Sequence, residues 1–479
     1  MTRLTLIQLN DSHGYLEPHP ELIWEADGPV VRQMGGFARI ASVIAAARAE
    51  NPGGVLAFDN GDTFHGTPAL VSSRGECAVP VLNALGLSAM TGHWDFAYGP
   101  AQASRLSGML NYPLLAANCH PLTDDAPRFA PTLIVEAAGC RIGIIGLAAT
   151  ILDKTMPPKF SEGLRFTDGI AETREHTALL RAAGCDLIVV LSHLGLPQDT
   201  ALASLVDGLD VILSGHTHNR LDRPWIVNGA LLIQSGCHGS FLGQLDLELE
   251  GGQITAHRHR LIPVDGELPC DPVVKALVEE AIAETAALRD DIVGNSAGLL
   301  HRMTCLDAPM DDVLLDAIAE ASEAEIAFSN GWRYGAPIPA GPVTAHDLGC
   351  IVPTDPPVET VQLSGAEIVE MMEQNLEATF CADPFGQRGG YVKRFRGLIL
   401  NVKLENPPMR RIEMAFGPDG APLDRKRSYH CAFITMQGVP DRFGRDRRKV
   451  GVNAIDAMRR WFAAHDSPNP KMLGRLRIV

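Results

Sequence analysis

Polar side chains of the kind that bind metals follow several short apolar runs in the first half of the chain. Runs such as LTLIQL, GVLAFD, DLIVVL and VILSG predict buried β-strands, because each is short, apolar and bounded by turn residues. Helical spacing between runs, as in FARIASVIAAARAE, indicates an α/β layered sheet. The side chains that follow the four runs are Asp11, His13, Asp62, His193, His216 and His218. Ligands bind beyond the carboxyl ends of strands in such a sheet, so we expect one shared site.

The residue types at these strand ends favour a site for divalent metal ions. Imidazole and carboxylate ligands suit Zn, Mn or Fe, and no thiolate is present in the set. Asp11 and His13, like His216 and His218, would point to one side of an extended segment, because side chains alternate with period two. Asp62 is the candidate bridge between two ions roughly 3.5–4 Å apart. Each motif alone also fits a hydrogen-bonded loop residue, but their joint occurrence favours the metal site.

The length of 479 residues exceeds what one hydrophobic core normally organises, so we expect at least two domains. LIPVDGELPCDP, at residues 261–272, carries turn residues and fits a boundary. An amphipathic stretch from Val273 to about Asp291 predicts a linker helix. We therefore expect a first domain over 1–265, a linker helix over 266–291 and a second α/β domain over 292–479.

Charge and composition limit the classes of binding partner and the cellular compartment that we expect for this protein. The net charge of −16 argues against binding a nucleic-acid polymer. No stretch approaches the roughly 20 apolar residues that cross a bilayer, so we expect no membrane partner. The start of the chain lacks a signal-peptide pattern, and the scattered cysteines are typical of reduced thiols. These features predict a cytoplasmic protein, or a periplasmic one if the chain has been trimmed; they leave the oligomeric state open.

Taken together, the motifs NDSHG, NGDTFHGTP, LAANC, VLSHLGL, SGHTHN and FSNGWRYG resemble the calcineurin-like metallophosphoesterases, and within them the 5′-nucleotidase and cyclic phosphodiesterase branch. This resemblance implies a four-layer domain, with two mixed sheets flanked by helices, and a C-terminal α/β substrate domain of the 5′-nucleotidase type. It also implies two divalent metal ions, Mn²⁺ by preference or Zn²⁺. The implied ligands are Asp11, His13, Asp62 and His218 for one ion and Asp62, His93, His193 and His216 for the other.

The chain departs from that branch at the residues that would move a proton. His93 replaces a ligating Asn, Trp94 replaces the catalytic His, and Ala97 replaces its partner Asp. Neither Trp nor Ala transfers protons, so the usual dyad is absent. The His-Trp pair is similar to that of the SoxB thiosulfohydrolases. The expected function is metal-dependent hydrolysis of a nucleotide or another small phosphate ester; a SoxB-like sulfohydrolase and a non-catalytic binding protein are the alternatives.

Further residues are expected to contact the small-molecule phosphate or sulfur ester. Asn118 and Arg333 could donate hydrogen bonds to its oxygens, or they could instead cap a turn and pair with a surface carboxylate, respectively. A proton for the leaving group would come from Asp95, from water, or from no group at all. The resemblance assigns substrate binding to Asn330, Gly331 and Arg333. It also matches Phe395 to the first of two base-stacking rings. Met436 stands at the second ring position, where Phe443 could substitute, and Phe residues at strand ends are otherwise core residues.

Overall fold

The computed structural model describes residues 2–124, 126–470 and 474–479. The chain forms two compact units. The first unit comprises the described residues up to Glu21 together with Arg32–Glu284, and the second comprises those of Leu22–Val31 and Thr285–Val479. The division after Glu284 lies inside the segment that the sequence predicts as a linker helix.

Fifteen strands and seven α-helices form the described part of the chain before residue 290. The strands are β1 (Thr2–Leu9), β2 (Pro18–Glu25), β3 (Gly28–Gly35), β4 (Val55–Asp59), β5 (Ala89–Met90), β6 (Cys119–Pro121), β7 (Thr132–Ala137), β8 (Cys140–Leu147), β9 (Leu164–Phe166), β10 (Leu187–Ser192), β11 (Val211–Ser214), β12 (Trp225–Val227), β13 (Ala230–Ile233), β14 (Phe241–Glu250) and β15 (Gln253–Pro263). The helices are α1 (Phe37–Glu50), α2 (Pro68–Ser72), α3 (Val79–Leu85), α4 (Pro100–Met109), α5 (Ile170–Ala182), α6 (Leu196–Leu205) and α7 (Pro272–Ile282).

Two mixed sheets share the core of the first unit. One has the strand order β15-β14-β1-β4-β5, and the other has the order β12-β13-β11-β10-β8-β7. In β8, β10 and β11, alternate residues such as Ile144, Val189 and Leu213 enter the core that the two sheets share. The residues between them, such as Ile145 and Val190, are buried on the opposite face, against which α5 and α6 pack. Strands covered on both faces read as continuous apolar runs, which is why the sequence predicts them well.

The predicted mixed α/β fold is confirmed by this arrangement. β1 and β4 pair in parallel, as do β10 and β11, so their carboxyl ends lie at the same edge of each sheet. The predicted hairpin of β14 and β15 is antiparallel, and β14 pairs with β1. Among the described residues, no helix combines the length and apolar character that a bilayer crossing requires.

The predicted linker helix is shorter than expected. Asp271 caps α7 by accepting hydrogen bonds from the backbone N–H groups of Val273 and Val274, both at 2.9 Å. The α-helix ends at Ile282, and the chain continues as tighter 3₁₀ turns over Ala283–Arg289. No proline or glycine marks this change, so the sequence pattern does not reveal it.

The second unit has its own sheet and core. Its strands are β16 (Ile292–Ser296), β17 (Ile326–Ser329), β18 (Gly341–Thr344), β19 (Pro357–Ser364), β20 (Arg394–Arg396), β21 (Ile399–Val402), β22 (Ile412–Phe416), β23 (Ser428–Phe433), β24 (Arg445–Asn453) and β25 (Leu476–Ile478). Its helices are α8 (Pro309–Ser322), α9 (Ala345–Ile351), α10 (Gly365–Phe380), α11 (Thr435–Gly438) and α12 (Ala454–Ala464). The main sheet has the order β20-β17-β23-β19-β24.

Candidate metal centre

All seven side chains predicted as metal ligands converge in the first unit. They form two groups in which one nitrogen or oxygen atom of each residue lies within 4.8 Å of those of the others. The first group contains Asp11, His13, Asp62 and His218, and the second group contains Asp62, His93, His193 and His216. Asp62 belongs to both groups, so the structure brings together the two sets that the family resemblance implies.

Short distances between nitrogen and oxygen atoms define each group. In the first group, His13 Nε2 lies 3.2 Å from His218 Nε2 and 3.5 Å from Asp62 Oδ2. In the second group, His93 Nδ1 lies 3.3 Å from Asp62 Oδ1, and His193 Nε2 lies 3.3 Å from Asp62 Oδ2. Asp62 thus presents one oxygen to His93 and the other to His13 and His193, as a bridging carboxylate does.

The backbone at most of these positions is left-handed. The φ angles of Asp11, His13 and Asp62 are 51°, 47° and 56°, and those of His216 and His218 are 72° and 59°. This corrects the expectation that Asp11 and His13, or His216 and His218, lie along an extended segment. β1 ends at Leu9 and β11 at Ser214, so the ligands lie on tight turns beyond the strands. Non-glycine residues with positive φ are uncommon and mark sites where the surroundings hold the strain.

Hydrogen bonds to the backbone orient the imidazole and carboxylate groups. The Nδ1–H of His193 donates to the carbonyl oxygen of Asn60 at 2.6 Å, which leaves the Nε2 lone pair facing Asp62. The backbone N–H of His216 donates to Asp11 Oδ1 at 2.9 Å, and that of Trp94 donates to Asp62 Oδ1 at 2.7 Å. Such outer contacts fix the tautomer and the direction of a metal ligand.

The site fits positively charged ions. Neither ring nitrogen of His93 makes a hydrogen bond within the described part of the chain, although the residue is buried. Burial alone would lower the pKa of His193, but the carboxylates of Asp62 and Asp11 raise it to about 10. Burial would raise the pKa of Asp62, yet the charges of His193, His93 and His13 hold it well below its usual range. The buried carboxylates of Asp11 and Asp62 therefore favour a cation among these side chains.

Asp95 is held by the backbone of two loops beside the centre. Its two oxygens accept four backbone hydrogen bonds, from the N–H groups of Asp62, Thr63, Phe64 and His93, at 2.9–3.1 Å. Because these bonds occupy the carboxylate, its contacts are structural, and its candidacy as a proton donor to a leaving group loses support. Asp95 instead fixes the loop that carries Asp62 to the loop that carries His93.

Asn118 is also engaged elsewhere. Its amide group donates to the carbonyl oxygens of Ala148 and Thr167 at 2.9 and 3.2 Å, and its oxygen accepts from the N–H of Ala148 at 2.8 Å. Both amide hydrogens are used, so no donor is left for a substrate oxygen. The alternative interpretation of Asn118, as a residue that caps a turn, agrees with the structure.

Trp94 packs in an aromatic cluster beside the second group of candidate ligands. Its ring stacks on His65 with centroids 4.7 Å apart and an interplanar angle of 24°, and Phe160 packs edge-on at 5.6 Å. Trp94 is only 6% exposed. The position that carries a catalytic His in the related branch is therefore apolar here, and Ala97 adds no polar group.

In the second unit, the predicted substrate motif contacts both side chains and backbone of neighbouring segments. Asn330 donates to Gln437 Oε1 and accepts from Thr435 Oγ1 at 2.7 Å. A Cβ atom on Gly331 would lie 2.2 Å from the carbonyl oxygen of Tyr391, so only glycine fits there. Arg333 donates to the carbonyl oxygen of Gly390 at 3.1 Å. The structure thus places buried Asn330 and half-buried Gly331 and Arg333 on one segment, and their substrate contacts stay a prediction.

The predicted stacking rings are core residues. Phe395 is 4% exposed and Phe443 is 3% exposed, and both belong to the apolar core of the second unit. Rings enclosed in this way offer little surface to a ligand, which supports the interpretation of both residues as core residues, and their contacts with substrate stay predictions. Met436, at the position of the second ring, is 39% exposed.

Sequence reasoning missed two buried residues beside the first group, Glu21 and His238. His238 follows β13 much as His216 follows β11, and that position was the available signal. Glu21 lies within β2 and carries no local signal at all. Apart from His19, its charged neighbours Arg220 and His238 come from a distant part of the chain.

Comparisons with known proteins agree with this architecture. Residues 292–437 match the family of the 5′-nucleotidase C-terminal domain. The chain is 24% identical to a 5′-nucleotidase of Diplobatis ommata over 454 residues, which are 86% of this chain and 76% of that protein. The solved structure of the sulfate thiohydrolase SoxB of Thermus thermophilus, in complex with glycerol, has a TM-score of 0.90 and 26% identity, covering 99% of this chain and 96% of that one. A 5′-nucleotidase precursor, also from Thermus thermophilus, has a TM-score of 0.86 at 23% identity, covering 100% of this chain and 99% of that one.

Proposed function

We propose, on the premise that this chain is a hydrolase of the calcineurin-like 5′-nucleotidase family close to SoxB, that it hydrolyses a small phosphate ester such as a nucleotide with the help of two divalent metal ions. The observation that carries the proposal is the position of Asp62, which belongs to both groups of candidate ligands. The ligand set of carboxylates and imidazoles favours Mn²⁺, with Zn²⁺ as the alternative.

Each residue of the centre has a part in this proposal. Asp62 would bridge the ions; Asp11, His13 and His218 would complete the first group, and His93, His193 and His216 the second. The ions would supply an activated water and would neutralise charge on the phosphoryl oxygens. The chain provides no imidazole at Trp94 to protonate the leaving group. For a nucleotide, whose leaving group is an alkoxide, water would have to supply the proton, whereas esters whose leaving group departs readily as an anion need none.

A second candidate function is release of sulfate from a thiosulfonate or a cysteine-linked substrate. Two observations favour it: the similarity to the SoxB structure over nearly the whole chain, and the buried Trp94 at the position of the missing acid. A sulfur leaving group is a stable anion near neutral pH and needs less protonation than an alkoxide.

The test separates the two chemistries. The protein is stripped with a chelator and reloaded with Mn²⁺ or Zn²⁺, and bound metal is counted by plasma mass spectrometry. Release of phosphate and of sulfate is then scored separately on panels of phosphate esters and thiosulfonates. We expect two equivalents of metal and release of phosphate; release of sulfate alone would select the second candidate. A protein that binds no metal and releases neither product would instead be a non-catalytic binding protein.

Asp62→Asn tests the bridge directly. Loss of the shared carboxylate should weaken the binding of both ions. We therefore expect fewer than one equivalent of bound metal and a fall in kcat/KM of about 100-fold or more. Asp222→Asn is the matched control, since the side chain of Asp222 is 89% exposed. Retention of both ions by Asp62→Asn would contradict the bridging role.

A further inference from the structure

A buried carboxylate–imidazole pair lies beside the first group of ligands. Glu21 and His238 are both 0% exposed. The Nδ1–H of His238 donates to Glu21 Oε2 at 3.1 Å. Glu21 belongs to β2, and His238 lies 217 positions further along the chain. An isolated buried carboxylate is costly, so a pair of this kind requires compensating partners.

Glu21 has those partners on both of its oxygens. Arg220 Nη2 lies 3.0 Å from Oε1, and Ser240 Oγ donates to Oε2 at 2.8 Å. Burial alone would raise the pKa of Glu21, but the hydrogen bond from His238 and the charge of Arg220 lower it to about 2. Glu21 is therefore a fixed negative charge whose hydrogen-bonding capacity is largely filled by protein groups. His19, the other imidazole nearby, contacts Ser240 Oγ at 3.1 Å.

His238 contacts the first group through its backbone and its ring. Its backbone N–H donates to the carbonyl oxygen of Asp11 at 2.7 Å. Its ring lies edge-on to the rings of His13 and His218, with centroids 6.0 and 6.3 Å away. His238 has a φ of 60°, a conformation that glycine would adopt without strain. The chain thus places an imidazole at a strained position, next to two candidate metal ligands and anchored by a carboxylate.

We propose that Glu21 and His238 are positioning residues for the first metal ion. Glu21, anchored by Arg220, fixes the His238 ring, and His238 in turn fixes the Asp11 turn and the facing rings of His13 and His218. This inference rests on the proposed metal pair. Outer contacts of this type hold ligands in the orientation that a metal requires, and their loss typically weakens metal binding by about 10–100-fold.

The test uses two variants of the full chain and one matched control. Glu21→Gln removes the charge, and His238→Asn removes the ring while keeping a residue that tolerates positive φ. Glu172→Gln is the control, because Glu172 forms a similar pair with His120 at 3.1 Å in the same unit and belongs to neither ligand group. Binding of each Co²⁺ equivalent is measured by competition with a chelator, and its visible absorption spectrum reports the ligand geometry.

The expected result is selective. In both variants the Kd of one Co²⁺ equivalent rises by about 10–100-fold and its spectrum shifts, while the other equivalent and the Glu172→Gln control match the wild type. If both variants bind two Co²⁺ ions with the affinity and spectra of the wild type, this inference is overturned and the proposed function is left intact. A third wild-type equivalent that both variants lose would also overturn it, because His19, Glu21 and His238 would then be ligands themselves. A wild-type chain that binds no metal would overturn both proposals.

Discussion

Individual residues of the centre are held in a strained backbone geometry. Asp11, Asp62 and His216 have φ angles of 51°, 56° and 72°, and strained backbone of this kind costs on the order of 1 kcal/mol or more per residue. The hydrogen bonds to Asp11 and Asp62 from His216 and Trp94 help to hold them there. The side chains converge because tight turns, rather than extended strands, carry them.

Asp199 is a buried carboxyl group in the first turn of α6. Burial raises its pKa to about 7, although a hydrogen bond from Ser192 Oγ at 2.6 Å opposes the shift. The unfolded chain releases this proton near pH 4. Between about pH 4 and pH 7 the folded chain therefore binds more protons than the unfolded chain, so the raised pKa lowers stability as the pH rises through that window.

We expect Asp199→Asn to remove this dependence on pH. Relative to the variant, the wild type should lose roughly 2–4 kcal/mol of unfolding free energy between pH 4.5 and pH 8, with little further change above pH 8. Urea unfolding of both proteins in the same chelator-containing buffer measures the difference. The exposed Asp222→Asn should follow the wild type, and parallel curves for the wild type and Asp199→Asn would show that Asp199 ionises without penalty.

Among the structural elements, β20 holds a residue that the family resemblance assigns to substrate stacking. Phe395 lies in its centre and pairs with Phe328 of β17, within the core of the second unit.

We expect Phe395→Ala to lower the unfolding free energy of the second unit by about 3–5 kcal/mol with KM unchanged. Hydrogen exchange of peptides from 292–437 measures the loss. The exposed Met436→Ala is the control, with a change of about 0.5 kcal/mol or less. A raised KM at unchanged stability would return Phe395 to the substrate site.

Sequence patterns predicted the elements of the first unit because its strands are buried on both faces. An apolar run such as residues 187–192 is itself the evidence for burial. The sequence pattern could not predict the end of α7 at Ile282, because the residues that follow also favour a helix. Nor does a local pattern separate a core Phe from one that binds a ligand, because burial of Phe395 and Phe443 depends on strands far away in the sequence.

On the scale of the whole molecule, all of the candidate metal ligands belong to one unit. Asp11 and His218 come from distant segments, yet both lie within the first unit. An ion that binds only the folded state stabilises it by RT ln(1 + [L]/Kd), which is about 2.7 kcal/mol when the free ion is at 100 times its Kd. That stabilisation should act on the unit that holds the ions.

We expect chelation to raise hydrogen exchange in the first unit selectively. Peptides that contain residues 10–13, 60–63 and 214–218 should exchange faster after metal removal, while peptides from α8 and β23 in the second unit should keep their rates. Mass spectrometry of the full chain, with and without Mn²⁺, provides the measurement. Equal acceleration in α8 and β23 would show that the metals stabilise the chain as a whole.

The sequence predicted the candidate ligands of this centre more completely than the residues that hold them in place. Asp62 and His193 follow apolar strands, and that position identifies them. Glu21 and His238 are brought together only by the folding of distant segments, and no spacing rule connects them. The same holds for Asn118, whose amide group is used by Ala148 and Thr167 once the chain has folded.

The hydrogen bonds to Asp95 have a consequence for the choice of ion. Because one carboxylate binds the backbone of both Asp62 and His93, we expect it to resist the separation of these two candidate ligands. His193 and His216, the other members of the second group, follow strands of the other sheet. Bonds to Zn²⁺ are about 2.0–2.2 Å long, whereas those to Ca²⁺ are about 2.3–2.6 Å long and would require the group to expand. We therefore expect Asp95 to disfavour Ca²⁺ at the second group, although Asp95 is not among the candidate ligands.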